Sequence, residues 1–322
     1  MKENFFLYHF NKLFYSNKPI LIYLKNISIT FISGKDRKEY LQNQFTNDLN
    51  ILKKYEYNYG SYCNISGKVI SIFLIFDYFD NSYACLHRKS ISNIQFNEIK
   101  KYSVFSKINI LKKKKLKVFG IFGKKAKILL EKCFDISFNK FNVIKKDNFI
   151  FLRINDEIEK FIVIFSDNKI NIFKKKIFNK FKKKKCIEWD FLLMISGFPI
   201  LEIENCKKFN PISLNLEKFN AINFNKGCYK GQEILSKIKY KNFNKKKIFL
   251  LYGISKKIPK IGSRIFKFVN NDYIFFGIVL FSIKINNFVL VQCILNNSVN
   301  KSILFKIENI KKSIFFIKNF YI

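Results

Sequence analysis

The residues best suited to chemistry in this 322-residue chain form one octet, Lys226-Gly227-Cys228-Tyr229-Lys230-Gly231-Gln232-Glu233. A cysteine lies between two glycines, and a lysine precedes each glycine. Gln232, Glu233, Ile234 and Leu235 are good helix formers, so the octet predicts a tight loop opening into a helix. Gly227 and Gly231 allow backbone angles and close approaches that a side chain would block. The free N–H groups at a helix start, with their partial positive charge, favour an anion. With two lysines close by, the Cys228 thiol is expected to ionise more readily than a free cysteine. Such a thiolate can ligate a soft metal or take part in redox exchange. The competing reading is a buried, inert cysteine ahead of a helix.

The elements that must position this loop follow from hydrophobic patterning. Residues 20–32 read as one or two strands running into the turn Ser33-Gly34-Lys35-Asp36. Asp36 and Glu39 have capping-box spacing, and Tyr40, Leu41, Gln44 and Phe45 continue a helical face. Tyr57–Cys63 and Val69–Phe76 flank Asn64-Ile65-Ser66-Gly67-Lys68 and predict a hairpin. A helix over Asn93–Lys101 and a strand over Tyr102–Ile108 follow, which suggests a split βαβ layer over about 50–110. Residues 117–165 give short strands around one helix, Lys124–Cys133. An amphipathic helix is expected from Glu188 to Ile195, stopped by Gly197 and Pro199. Beyond Tyr240 come short strands at Ile248–Ile254, Arg264–Phe268, Tyr273–Phe281, Phe288–Leu295 and Ile303–Ile307. They predict a small antiparallel barrel behind a linker at Lys241–Lys247. The lysine runs Lys112–Lys115 and Lys182–Lys185 read as solvated loops or helix ends.

K-G-C-Y-K-G-Q-E resembles the signature of the YgfZ family, folate-binding proteins linked to tRNA modification and iron–sulfur enzymes and related to the glycine cleavage T-protein. I-S-G-K-D-R-K-E-Y-L-Q-N-Q-F-T-N-D, from Ile32, resembles the same family, as do K-K-Y-S-V-F-S-K, from Lys100, and W-D-F-L-L-M-I-S-G-F-P, from Trp189. Asn210-Pro211 and Asn215-Leu216 resemble its P-x-x-x-N-L. The resemblance implies an α+β, multidomain aminomethyltransferase-like folate-binding fold. Its core would span 1–240, with a barrel domain at 241–322. It further implies Trp189 as a ring lining a tetrahydrofolate pocket, Cys228 as the functional thiol, and iron–sulfur enzymes, including tRNA-modifying ones, as partners.

Three departures qualify this. Where T-proteins carry an aspartate pair, one member of which assists the chemistry, this chain has Ser71 and Ile72, so aminomethyl transfer is not expected. Ile195 stands where a pterin-binding glutamate is expected, and Ile27 replaces a second pocket tryptophan, so folate binding is expected to be weakened. One-carbon transfer and direct tRNA binding remain the alternative functions.

Composition bounds these readings. Hydrophobic residues make up 48% of the chain, which predicts a folded protein. The net charge of +37 comes almost wholly from lysine; the four arginines are Arg37, Arg88, Arg153 and Arg264. Lysine is enriched together with Asn, Ile and Phe, the residues of A- and T-rich codons, so base composition accounts for much of the charge. A field this basic attracts RNA weakly at low salt. The seven cysteines show no C-x-x-C pair and the two histidines are far apart, so neither a disulfide framework nor a metal site is expected. No apolar run reaches membrane-spanning length, and no cleavage site follows Phe5–Phe10. The expectation is a cytoplasmic monomer without membrane contact.

Overall fold

A computed structural model describes residues 4–78, 81–112, 115–156, 158–241, 246–269, 272–296, 303–310 and 314–318. The chain opens with helix α1 (Asn4–Phe14), then strands β1 (Ile20–Tyr23) and β2 (Ile27–Ser33), which enter different sheets. Helix α2 (Arg37–Gln44), strands β3 (Tyr57–Cys63), β4 (Val69–Asp77) and β5 (Ser82–Arg88), helix α3 (Ser92–Lys101) and strand β6 (Asn109–Leu111) complete the first layer. Its sheet has the order β3-β4-β5-β2-β6. β5 and β6 both pair antiparallel with β2, so they run parallel to each other with β2 between them. That is a split βαβ unit, closed by α3 and reaching back to Ile27. The strand expected over Tyr102–Ile108 is instead a turn, and pairing starts only at Asn109. Val104 and Phe105 there are 78% and 98% exposed, so these apolar residues have no sheet face to fill.

Strand β7 (Leu116–Phe122), helix α4 (Ala126–Phe134), strands β8 (Val143–Lys146), β9 (Phe149–Ile154) and β10 (Lys160–Ser166), helix α5 (Ile170–Ile177) and strand β11 (Lys182–Lys184) build the second layer, in the order β11-β1-β7-β10-β9-β8. Its outer face packs on α4 and α5 through a phenylalanine cluster, with Phe119, Phe134 and Phe165 around Phe173. The lysine run at 182–184 forms an edge strand, where charge blocks further pairing.

Helix α6 (Cys186–Ile195) runs through the middle of the molecule. It is buried on nearly every side, rather than amphipathic, because both sheets and the barrel press on it. It ends in a Schellman turn: Gly197, at φ 75°, donates to Met194 and Phe198 donates to Leu193. Helix α7 (Gln232–Tyr240) precedes a closed barrel of strands β12 (Lys246–Ile254), β13 (Arg264–Val269), β14 (Asp272–Ile285), β15 (Phe288–Asn296), β16 (Phe305–Ile307) and β17 (Phe315–Lys318). The expected linker at Lys241–Lys247 falls largely on 242–245, outside the described residues, as do 113 and 114 of the first lysine run. The N-terminal apolar patch belongs to α1 and docks on the barrel, with Phe5 stacked on Phe288 at 4.0 Å and Phe6 against Tyr252. Among the described residues no helix is long and apolar enough to cross a membrane.

Candidate functional site: a pinned thiol loop and a small apolar cavity

Cys228 is the exposed cysteine of the seven; Cys63, Cys85 and Cys293 are buried and the others half-buried. The loop that carries it is held by its neighbours. Lys226, 8% exposed, turns inward and donates to the carbonyls of Gln42, Phe45 and Asn47 at 2.6, 2.9 and 2.7 Å. These acceptors sit at the C-terminal end of α2, where a cation suits both the free carbonyls and the helix dipole. Burial pushes the Lys226 ammonium down to about 8. Lys230 donates its backbone N–H to Asn43 and its Nζ to Tyr62, and pairs with Glu98 at 3.5 Å. Both lysines expected to act on the thiol are thus engaged in anchoring the loop.

The two glycines differ. Gly231 has φ 85°, and a Cβ there would lie 2.6 Å from the Asn64 carbonyl at the β3–β4 turn, so glycine is required. Gly227 has no such constraint: a Cβ would meet nothing within 4 Å. Gln232 starts α7 and its side chain accepts from the Tyr229 N–H at 3.2 Å. Tyr229 is buried with its hydroxyl unpartnered, and Glu233 faces solvent beside Lys237. The segment after Asp36 thereby meets the octet nearly two hundred residues later. Thr46 adds a bond to the Ala221 carbonyl at 2.6 Å, and Leu216 N donates to Pro211. The capping box expected at Asp36 and Glu39 does not form. Asp36 instead accepts from the Lys107 backbone at 2.7 Å, tying α2 to the turn before β6.

Trp189 lies elsewhere, 3% exposed, its ring flat against β7 where a Cβ on Gly120 would stand 2.5 Å away. It lines a cavity of about 80 Å³ with Tyr59, Ile72, Ile27 and Phe198. Tyr59 divides this cavity from an open polar cleft of about 580 Å³, and gives its hydroxyl to Asp156 at 2.8 Å, which also takes Lys160 at 3.1 Å. Two further residues of the cavity, Arg88 and His87, escaped the sequence reading. Arg88 is clamped between Asp190, at 2.7 Å, and Glu202. The signal was available: in so lysine-rich a chain, an arginine marks a place where a planar fork is needed. His87 bonds Thr30 at 2.9 Å, and burial pushes it down to about 4, so it is neutral at pH 7.

The cavity suits the apolar faces of a pterin but does not fit a tightly held folate. It is smaller than the roughly 300–1,000 Å³ of ligand pockets. Arg88, His87 and Lys160 are already partnered. Ile195 is fully buried outside the lining, and Ile27 and Ile72 present only methyl groups. Ser71 is also fully buried, its hydroxyl unpartnered. Among the described residues no three His, Cys, Asp or Glu side chains gather as a metal site.

Two stacked sheets, a central helix and a closed barrel define the aminomethyltransferase fold. The solved glycine cleavage system aminomethyltransferase T from Bartonella henselae superposes with a TM-score of 0.76, covering 95% of this chain and 86% of that one at 11% identity. No family model matches the sequence. Full-length relatives do: the tRNA-modifying protein YgfZ of Buchnera aphidicola subsp. Schizaphis graminum is 36% identical, over 94% of this chain and 95% of its own. That of Buchnera aphidicola subsp. Baizongia pistaciae is 37% identical over 95% and 96%. That of Escherichia coli O17:K52:H18 is 27% identical over 90% and 89%. The chain belongs to the YgfZ family.

Proposed function

We propose that this protein supports tRNA modification, and the iron–sulfur enzymes that perform it, through the Cys228 thiol. The observation that carries this reading is the loop itself: an exposed thiol held in place by a buried lysine and an obligate glycine. Rigid presentation serves a group that must meet a partner's site. As a soft ligand, Cys228 would contribute one position to a client's iron, the client supplying the rest, or it would exchange with a client disulfide. In this reading the protein is a cytoplasmic monomer, since its net charge opposes self-association. Reduced folate enters the Trp189 cavity only weakly and after Tyr59 moves.

Aminomethyl transfer is disfavoured, because Ile72 faces the cavity at the position of an expected carboxylate. The test of the reading is expression of this chain in bacterial cells lacking their own YgfZ. Recovery of iron–sulfur-dependent tRNA modification, read by mass spectrometry of digested tRNA, is the expected result. No recovery at normal protein levels would overturn it.

A further inference from the structure

Lys112 and Lys115, the described residues of the first lysine run, and Lys183 and Lys184 of the second come to one side of the molecule. β11 pairs parallel with β1, which sets Lys183 and Lys184 beside Leu21 and Ile22, and β7 flanks β1 on its other edge. A cleft of about 480 Å³ results, lined by Lys25, Lys89, Lys112, Lys115 and Lys117. A second, of about 520 Å³, is lined by Lys117, Lys174, Lys183 and Lys184. The two join at Tyr23, Lys117 and Asp167, which line both.

Base composition explains why lysine is common here but not this local imbalance. The whole chain has 60 basic to 23 acidic residues. The two clefts together present eight lysines and one carboxylate, Asp167, which Lys117 already holds at 3.3 Å. We propose that these joined clefts are an RNA-binding track. Lysines take the backbone phosphates, and a base stacks on Tyr23. Tyr23 is 44% exposed at the junction, with Phe119 at 5.2 Å and the Lys117 ammonium 5.6 Å from its ring centroid. Ser28, Ser92 and Asn93 add neutral donors to the first cleft, as phosphate and sugar contacts use. An anionic membrane would call for protruding apolar side chains, whereas the apolar lining of the second cleft, Leu21, Phe119, Ile170 and Phe178, is buried or half-buried. A concave, basic run with an aromatic at its centre matches a nucleic-acid strand instead. The inference goes beyond the thiol reading and does not depend on Cys228.

The test is fluorescence anisotropy of an unmodified tRNA transcript with the full-length protein at 50–200 mM KCl. One variant carries Lys25→Ala, Lys115→Ala, Lys174→Ala and Lys183→Ala. A control with the same loss of charge carries Lys246→Ala, Lys256→Ala, Lys257→Ala and Lys260→Ala, exposed lysines of the barrel domain. The track variant is expected to bind about tenfold or more weakly, with its log–log salt slope reduced by roughly 3, while the barrel variant binds as wild type. Tyr23→Ala is expected to lose about tenfold with the slope unchanged. Equal losses in both lysine variants would mean diffuse charge and overturn the proposal. So would unchanged binding by the track variant, including the case where it loses only phosphatidylserine vesicles. No loss with Tyr23→Ala would overturn the RNA assignment.

Discussion

Three carbonyl oxygens take the three protons of the Lys226 ammonium, and that arrangement fixes where Cys228 stands. The sequence places Lys226 two residues from the thiol, which invites an electrostatic role; its side chain runs the other way because the C-terminus of α2 leaves carbonyls to be satisfied. The buried charge has a measurable cost. Its folded value, about 8, lies below the 10.5 of a free lysine, so the unfolded chain binds more protons between those pH values. The contribution of Lys226 to stability therefore rises with pH across that window and is lost as pH falls through about 8. Urea unfolding of wild type and Lys226→Met at pH 7.5 and 9.5 checks this. Wild type is expected to gain about 2 kcal/mol on the variant between the two. A gap that does not change with pH would contradict it.

At the scale of elements, the β3–β4 hairpin joins the two halves of the site. Its body supplies Tyr59 and Ile72 to the Trp189 cavity, and the Asn64 carbonyl at its tip receives Gly231. The small cavity yields a prediction for folate. Tetrahydrofolate, followed by Trp189 fluorescence and calorimetry, is expected to bind more weakly than about 100 μM, roughly 5.5 kcal/mol. A submicromolar Kd would show that the cavity opens at little cost. The hairpin, α3 and the barrel strands were legible in the sequence because their signals are local: turn residues at Asn64–Lys68, alternation, and glycine and asparagine breaks. The failures share a different cause. Asp36 has capping-box spacing, yet the Lys107 N–H, 71 residues away, claims its carboxylate. Tyr102–Ile108 has strand composition but no neighbour to pair with. α6 looks amphipathic only until both sheets and the barrel close over its polar side, where Arg88 pairs with Asp190 and His9 hydrogen-bonds Glu188. Each depends on a partner far along the chain, which no window of sequence contains.

The molecule buries its one tryptophan and, of its seven cysteines, leaves Cys228 exposed. Three layers share one core around α6, and the loop with Cys228 is pinned at the edge where α2, the hairpin and α7 meet. The octet and the segment after Asp36 are both legible as motifs; what joins them into one device is Lys226 on Gln42, Phe45 and Asn47, a contact that no local pattern encodes. If that device exists to present sulfur, its chemistry should depend on sulfur alone. The most direct measurement is the level of iron–sulfur-dependent modified nucleosides in tRNA from cells lacking their own YgfZ and carrying either wild-type chain or Cys228→Ser at matched protein levels. Serine keeps the size and hydrogen bonding of the side chain and removes the soft ligand. The account predicts wild-type chain to restore the modification and Cys228→Ser, folded and equally abundant, to leave it at the level of the deletion. Full restoration by Cys228→Ser would contradict it.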